Sequence, residues 1–249
     1  MDKNYNVLGP EISLPQSRAF VFRTPQLTCP YLDGQMESRI AVDLTGPDAS
    51  ERYDHLSKAG FRRTGRFAYR PDCPGCSACV SVRILAEKFH AGRSHRRIQN
   101  LNADLNVTER PAIATPEQFW LFRRYQHTRH GNGDMATMDF ADYRAIVEEA
   151  LPETRLIEFR KLDGQLVLVG LIDWLRDGPS AVYSFFESEE TRRSLGSMLI
   201  LWLIQQARMR KLPHAYLGYW IAECRKMAYK TRFQPLEGFI GNGWQVIDI

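Results

Sequence analysis

No stretch of the chain reaches the roughly 18 consecutive apolar residues of a membrane-spanning helix, and Met1 to Pro10 has no basic-then-apolar leader pattern. Neither a membrane anchor nor secretion is expected, and the cytoplasm is the expected setting. Cysteine is too sparse and too unevenly placed for a disulfide framework. Of five, Cys73, Cys76 and Cys79 stand close together, an odd and crowded set that suits metal ligation in a reducing compartment better than pairing. No tryptophan precedes residue 110, whereas Trp120, Trp174, Trp202, Trp220 and Trp244 follow it. Internal repeats and low-complexity tracts are also missing, which leaves an ordinary globular chain.

What is present supports that reading. The chain has 249 residues, 44% of them hydrophobic and 25% charged, enough for one large core or two small ones. Its net charge of +4 is unevenly placed. Between His55 and Arg97, ten lysines and arginines face only Asp72 and Glu87. Such a local excess attracts polyanions, above all nucleic-acid phosphates, or it serves as a solvated basic surface.

The contrast between a basic, cysteine-bearing first part and a tryptophan-bearing second part predicts two modules, residues 1–110 and 111–249. The proline-containing stretch Glu109 to Pro116 is the expected junction. In the first, Ile40, Val42 and Leu44 alternate with polar or small residues as a half-buried strand does, and a helix over about 50–59 ends at Gly60. Further strands are expected at Phe67 to Arg70 and around Val80, Val82 and Ile84, followed by a helix capped by Ser94. The second module opens on Thr115-Pro-Glu-Gln118, a capping box with proline at the first helical position. Two helices, three strands joined at Asp163-Gly164 and Asp177-Gly178, a long helix from about Ser194 to Arg210, a strand over 215–221, a short helix and a closing strand follow.

That order predicts an α+β protein, a small mixed N-terminal module followed by a GNAT-like (acyl-CoA N-acyltransferase-like) catalytic domain. In such a fold the helix after the three-strand meander aims its N-terminus at a phosphate-bearing donor. Arg193-Ser-Leu-Gly196-Ser-Met198 keeps two of the three fixed positions of the coenzyme A loop and fails the third. An anion site survives that failure better than a coenzyme A site does.

Several stretches together resemble the arginyl-tRNA-protein transferase family, and in particular its short bacterial branch that transfers leucine. The longest is Tyr216-Leu-Gly-Tyr-Trp-Ile-Ala-Glu-Cys-Arg-Lys-Met-Ala-Tyr-Lys230, beside Ala181 to Glu187 and Arg193-Ser-Leu-Gly196. Upstream, Gly60-Phe-Arg-Arg-Thr-Gly65, Tyr69-Arg-Pro71, the Cys73, Cys76, Cys79 run and Ser94-x-Arg-Arg97 match the family's N-terminal part. Glu187-Ser188 stands where the family often has Asp-Pro, which keeps the carboxylate but changes the turn.

The resemblance implies transfer of leucine from Leu-tRNA to the N-terminal Asp or Glu of an acceptor protein, marking it for degradation by the N-degron route. It implies aminoacyl-tRNA and acidic-N-terminus proteins as partners, and a monomer acting away from membranes. Because the aminoacyl ester is already activated, no cofactor is required for transfer, and positioning supplies much of the rate. Glu187 is the expected base, or a carboxylate that orients the amine, with Tyr183 and Tyr219 as hydrogen-bond partners. Arg129, Arg193, Ser194, Lys226 and Lys230 are expected around the substrates, an acidic side chain calling for a cation. Trp220 is core or a stacking platform for the terminal adenosine of tRNA. Arg62, Arg63, Arg93, Arg96 and Arg97 are the expected tRNA contacts. Cys29, Cys73, Cys76 and Cys79 could hold an iron-sulfur cluster or zinc, or stand as reduced thiols, and Cys224 reads as a small buried apolar residue.

Two other functions fit parts of the sequence. Arginyl transfer from Arg-tRNA or acetyl transfer from acetyl-coenzyme A keeps the enzyme fold. An RNA-binding module built on the cysteines and basic segment needs no catalysis.

Overall fold

The computed structural model describes residues 19–131 and 133–247, so the leader reading over Met1 to Pro10 lies outside the described residues. The first part forms a four-stranded antiparallel sheet in the order β1 (Val21–Arg23), β4 (Arg39–Asp43), β6 (Phe67–Pro71), β5 (Arg62–Thr64), with a small ribbon of β2 (Leu27–Thr28) and β3 (Met36–Glu37) beside it. Helix α1 (Ala49–Lys58) packs against it and ends at Gly60, whose φ of +81° takes the chain out of the helix. The alternation at residues 40–44 is tighter than expected. Ala41 is buried along with Ile40 and Val42, so both faces of β4 are covered.

The remaining strands build one eight-stranded sheet, ordered β14 (Gly243–Val246), β13 (Leu236–Ile240), β7 (Val80–Leu85), β12 (His214–Trp220), β11 (Gly178–Phe186), β10 (Leu166–Leu175), β9 (Thr154–Arg160), β8 (Asn106–Pro111). All neighbours run antiparallel except β11 and β12, which are parallel and joined by α5 (Leu195–Met209). The sheet does not respect the expected boundary at residues 110 and 111. Strand β7 lies between β12 and β13, and β8 forms an edge, so the predicted junction at Glu109 is itself strand, with Pro111 tolerated at the edge.

Helix α2 (Arg93–Leu101) starts one residue before the predicted cap. Gly92 holds the N-cap position, and its N–H donates to His95 Nδ1 at 3.2 Å, which leaves Ser94 without a capping role. The box at Thr115 forms as read. Thr115 Oγ1 accepts from Gln118 N, Thr115 N donates to Gln118 Oε1, and α3 (Pro116–His130) follows. Helix α4 (Phe140–Glu148) is capped by Asp139, and the meander turns at Gly164 with φ +90°. The expected short helix before Lys230 is a 3-10 helix over Arg225–Arg232.

The element order α3, α4, β9, β10, β11, α5, β12 is that of the GNAT-like fold. Leu199, Ile200, Leu203 and Ile204 on α5 pack over the sheet with Val82, Ile84, Phe159 and Leu168. The helix comes close at Gly170, where a Cβ would meet Leu199 Cδ1 at 2.8 Å.

The two sheets are tied by a buried ion pair. Arg63 Nε and Nη2 donate to Asp173 Oδ2 and Oδ1 at 2.6 and 2.8 Å, with side chains 0% and 1% exposed, and Thr154 Oγ1 donates to Asp173 Oδ1 at 2.6 Å. The fork geometry and the third donor leave little of either ion unsatisfied. Replacing Asp173 alone by Ala strands a buried guanidinium and is expected to lower stability by about 3–5 kcal/mol in urea unfolding. The double replacement Arg63→Met, Asp173→Leu is expected to recover most of that loss in the same measurement.

Candidate active site

A cavity of about 520 Å³ opens where α3, the end of β11, the start of α5 and the 3-10 helix Arg225–Arg232 converge. Helical spacing sets one wall, since Tyr125 and Arg129 lie four apart on α3 with Thr128 between them. Strand periodicity sets another. Ser184 and Phe186 share a face of β11, and Glu187 and Ser188 continue beyond the strand. The start of α5 supplies Ser194, Leu195, Gly196 and Ser197, and the 3-10 helix supplies Lys226 and Tyr229.

Ser194 sits in the left-handed region (φ 51°, ψ 50°) with no side-chain cap bond, and Ser197 N and Met198 N both donate to Ser194 O. Leu195 N and Gly196 N find no acceptor among the described residues. The helix therefore presents two free N–H groups and the positive end of its dipole to the cavity. The acidic groups here are already paired. Arg124 Nη2 and Nε donate to Glu187 Oε2 at 2.8 and 3.2 Å, and Glu190 pairs with Lys161 and with Arg193. Arg129 and Lys226 have no ion-pair partner among the described residues, Arg129 instead lying 5.8 Å over the Phe186 ring. The surplus in the cavity is therefore positive, which favours an anion.

Of the expected site residues, Glu187, Arg129, Ser194 and Lys226 come together here. The rest do not. Tyr183 is out of phase with Ser184 and Phe186, packs near Phe122 and Phe185, and accepts from Gln126 Nε2 at 2.6 Å. Burial pushes its phenol well above the usual range. Tyr219 Oη donates to Tyr69 O at 2.9 Å and lies 3.2 Å from Gly60 O, pinning β12 to the first module rather than serving the Glu187 cavity. Trp220 is half-buried against the core under α5.

Arg193 is also redirected. Its guanidinium binds both carboxylate oxygens of Asp104 at 2.7 and 2.9 Å and Leu101 O at 2.8 Å, so it fastens α2 to the turn before α5 instead of meeting substrate.

Two of the five expected tRNA contacts are corrected outright. Arg62 and Arg63 are each 4% exposed, and a guanidinium under the sheet cannot reach a solvated phosphate. Their basic motif read as surface because a single sequence cannot show that β5 is covered. Arg93, Arg96 and Arg97 are exposed on α2. That helix abuts the cavity rim, since Asn102 Nδ2 donates to Arg193 O at 2.8 Å, and His95 stacks on Phe233 just past exposed Arg232. Arg124 was missed altogether. Its position on the helix predicted after Thr115 was legible, but its partner Glu187 lies 63 positions away.

Lys230 is not on a solvated face. Its Nζ donates to Tyr219 O at 2.5 Å, and burial, together with Arg62, pushes its ammonium down to about 7. The unfolded chain keeps an ordinary lysine, so between about pH 7 and 10.5 the unfolded state holds a proton that the folded state has lost. Stability contributed by this group therefore rises with pH across that window, by up to about 1.4 kcal/mol per unit. Urea unfolding between pH 7.5 and 9.5 is expected to show a rise in wild type that Lys230→Met flattens.

Cys73 and Cys76 face each other across a tight turn, Cys73 Sγ lies 3.6 Å from Ser38 O, and all of Cys29, Cys73, Cys76 and Cys79 carry free thiols. Burial, and then the neighbouring Cys73, Cys29 and Cys76, push the Cys79 thiol up to about 12. Among the described residues no three His, Cys, Asp or Glu side chains group so as to hold a metal ion.

The element order and sheet topology are those of the GNAT-like fold. Sequence models described as "Arginine-tRNA-protein transferase, N terminus" and "Arginine-tRNA-protein transferase, C terminus" match residues 27–97 and 117–240. The aspartate/glutamate leucyltransferase of Paramagnetospirillum magneticum is 50% identical over 91% of this chain and 93% of its own. That of Rhodospirillum rubrum is 52% identical over 92% and 94%. Among solved structures, FemX aligns at 8% identity with a TM-score of 0.45, over 80% of this chain and 79% of that one. L-PGS from Bacillus licheniformis aligns at 11% with a TM-score of 0.43, over 57% and 46%. With both family segments matched, this chain belongs to the arginine-tRNA-protein transferase family and is an aminoacyl-tRNA-protein transferase.

Proposed function

We infer that the protein transfers leucine from Leu-tRNA to the α-amine of proteins that begin with Asp or Glu. The observation that carries this is the identity of about half the residues, over nine-tenths of the chain, with enzymes named for that reaction. The cavity supports it. A phosphate of the tRNA 3′ end sits at Leu195 N and Gly196 N, with Arg129 and Lys226 as its cations. The exposed Arg93, Arg96 and Arg97 on α2 take the adjoining RNA backbone. Glu187 holds the incoming ammonium and accepts its proton through Oε1, since both bonds from Arg124 fall on Oε2. Aminoacyl-tRNA as donor places the reaction in the cytoplasm.

The matching family descriptions name arginine, so Arg-tRNA is the second donor to test. Coenzyme A is disfavoured by the junction of β11 and β12, the strand opening at which a GNAT-like fold can admit an acyl chain. Here Arg62 reaches Ala181 O and Lys230 reaches Tyr219 O from inside it.

Incubation with radiolabelled Leu-tRNA or Arg-tRNA and peptides beginning with Asp, Glu, Lys or Ala is expected to label only the acidic pair, from Leu-tRNA. No label on any peptide would sink the reading, and label from Arg-tRNA alone would move it to arginine. Glu187→Gln is expected to lower kcat about 10²- to 10⁴-fold. Replacing Arg93, Arg96 and Arg97 together by Gln is expected to weaken tRNA binding and reduce the slope of log affinity against log salt by about 2 to 3.

A further inference from the structure

The Glu187 cavity and a second depression share one wall. On α3, Glu117, Trp120, Leu121 and Arg124 stand three and four residues apart and form one stripe, and Thr128, four further on, carries that stripe into the cavity. Along the stripe runs a groove of about 480 Å³, closed on its other side by Gln165 and Leu166 where β10 begins. Arg124 lines it and bonds Glu187 Oε2 at 2.8 Å, and Glu187 N donates at 2.8 Å to Val167 O, beside Leu166. The groove therefore begins one side chain away from the carboxylate assigned to the acceptor amine.

Its lining is apolar below and aromatic at the rim. Leu121 and Leu166 are buried and make the floor. Trp120 leaves 56% of its surface to solvent, with the Arg123 guanidinium 5.3 Å over its ring. A lone exposed apolar side chain means little. This one stands over an apolar floor one turn from Arg124, and tryptophan and arginine are the residue types that carry most of the binding energy at protein interfaces. The acid of the groove is already answered, since Arg160 Nη1 and Nη2 donate to Glu117 Oε1 and Oε2 at 2.9 and 2.7 Å. An apolar side chain entering the groove therefore strands no carboxylate.

The two faces of the large sheet decide between RNA and polypeptide as occupant. Helices α5 and α2, which carry the anion site and the exposed arginines, cover one face, where Leu199 and Ile98 join Ile157 and Phe159. Helix α3 covers the other, where Phe122 joins Leu156, Val169 and Phe185. Donor RNA is thus met on the α5 side, and the groove on the α3 side is left to the acceptor. We propose that the groove holds the acceptor polypeptide just beyond its first residue, with an apolar side chain at its third position packed on Trp120. This rests on the transfer reading and adds to it a second point of recognition, separate from the acidic first residue. From Arg124 to Trp120 is one helical turn, about 6 Å at 1.5 Å per residue. An extended chain covers that in about two residues at roughly 3.3 Å each. A first residue with its amine at Glu187 therefore brings the third to the ring.

The test uses peptides beginning Glu-Ala-Ala-Ala-Ala in which one leucine replaces the alanine at position two, three or four, assayed with Leu-tRNA on wild type, Trp120→Ala and Trp120→Phe. On wild type, leucine at position three is expected to lower the peptide KM about 3- to 10-fold with kcat unchanged, because packing remote from the reacting atoms favours ground and transition states alike. Trp120→Ala is expected to abolish that gain and Trp120→Phe to keep most of it, both with the Tm of wild type because the ring is largely exposed. No gain at position three, or a gain that survives Trp120→Ala, would overturn the groove. A rise in the KM for Leu-tRNA in Trp120→Ala would give the ring to RNA and overturn it equally. Failure of wild type to transfer leucine to any peptide would remove the transfer reading, and fluorescence anisotropy of dye-labelled peptides on wild-type protein without tRNA would still decide the groove. There the peptide with leucine at position three is expected to bind more tightly than the all-alanine one by a similar factor, and equal binding would count against it.

Discussion

A buried guanidinium is tolerable only when every donor has an acceptor, and the Arg63–Asp173 pair meets that condition through two parallel bonds and a third from Thr154. The pair fixes β5 of the small sheet against β9 and β10 of the large one. Once that edge is set, Arg62 on the same strand is carried under β11, and Tyr219 reaches Tyr69 O and Gly60 O across the same boundary. The junction of β11 and β12, α5 and the cavity at its N-terminus take their positions relative to this seam.

Two regions of the protein handle charge in opposite ways. Around the cavity, acids are matched by neighbouring bases, and Arg129 and Lys226 remain over, facing an opening large enough for a nucleotide phosphate. Under the sheet, Arg62 and Lys230 are enclosed, each donating to a strand carbonyl, Ala181 O and Tyr219 O. An exposed cation attracts from a distance and is screened by salt, whereas a buried one discriminates at contact.

Most of the element order was legible in the sequence because periodicity and caps are local. The Thr115 box, the turn at Asp163-Gly164 and the amphipathic α5 all form where their residues predict. Sheet membership was not legible, because nothing within Val80–Leu85 indicates that its partners are β12 and β13. The same limit governs the site. Glu187, Arg129, Ser194 and Lys226, singled out by motif and helix position, line one cavity, while Arg62, Arg63, Arg193 and Tyr219, expected at tRNA, substrate or the reacting centre, are held by partners elsewhere. Each of those partners lies far along the chain, and burial is a property of the assembled sheets.

Strand β7 has a consequence for how the molecule is made. It leaves the ribosome early, yet its two neighbours are residues 214–220 and 236–240, so both its edges stay unpaired until nearly the whole chain has been synthesised. Closure of the large sheet is thus among the last events of synthesis and joins segments well over 100 residues apart. A chain truncated shortly before its C-terminal hairpin would carry every residue of the Glu187 cavity and still expose the middle of its sheet, a nascent state suited to chaperone capture rather than to tRNA.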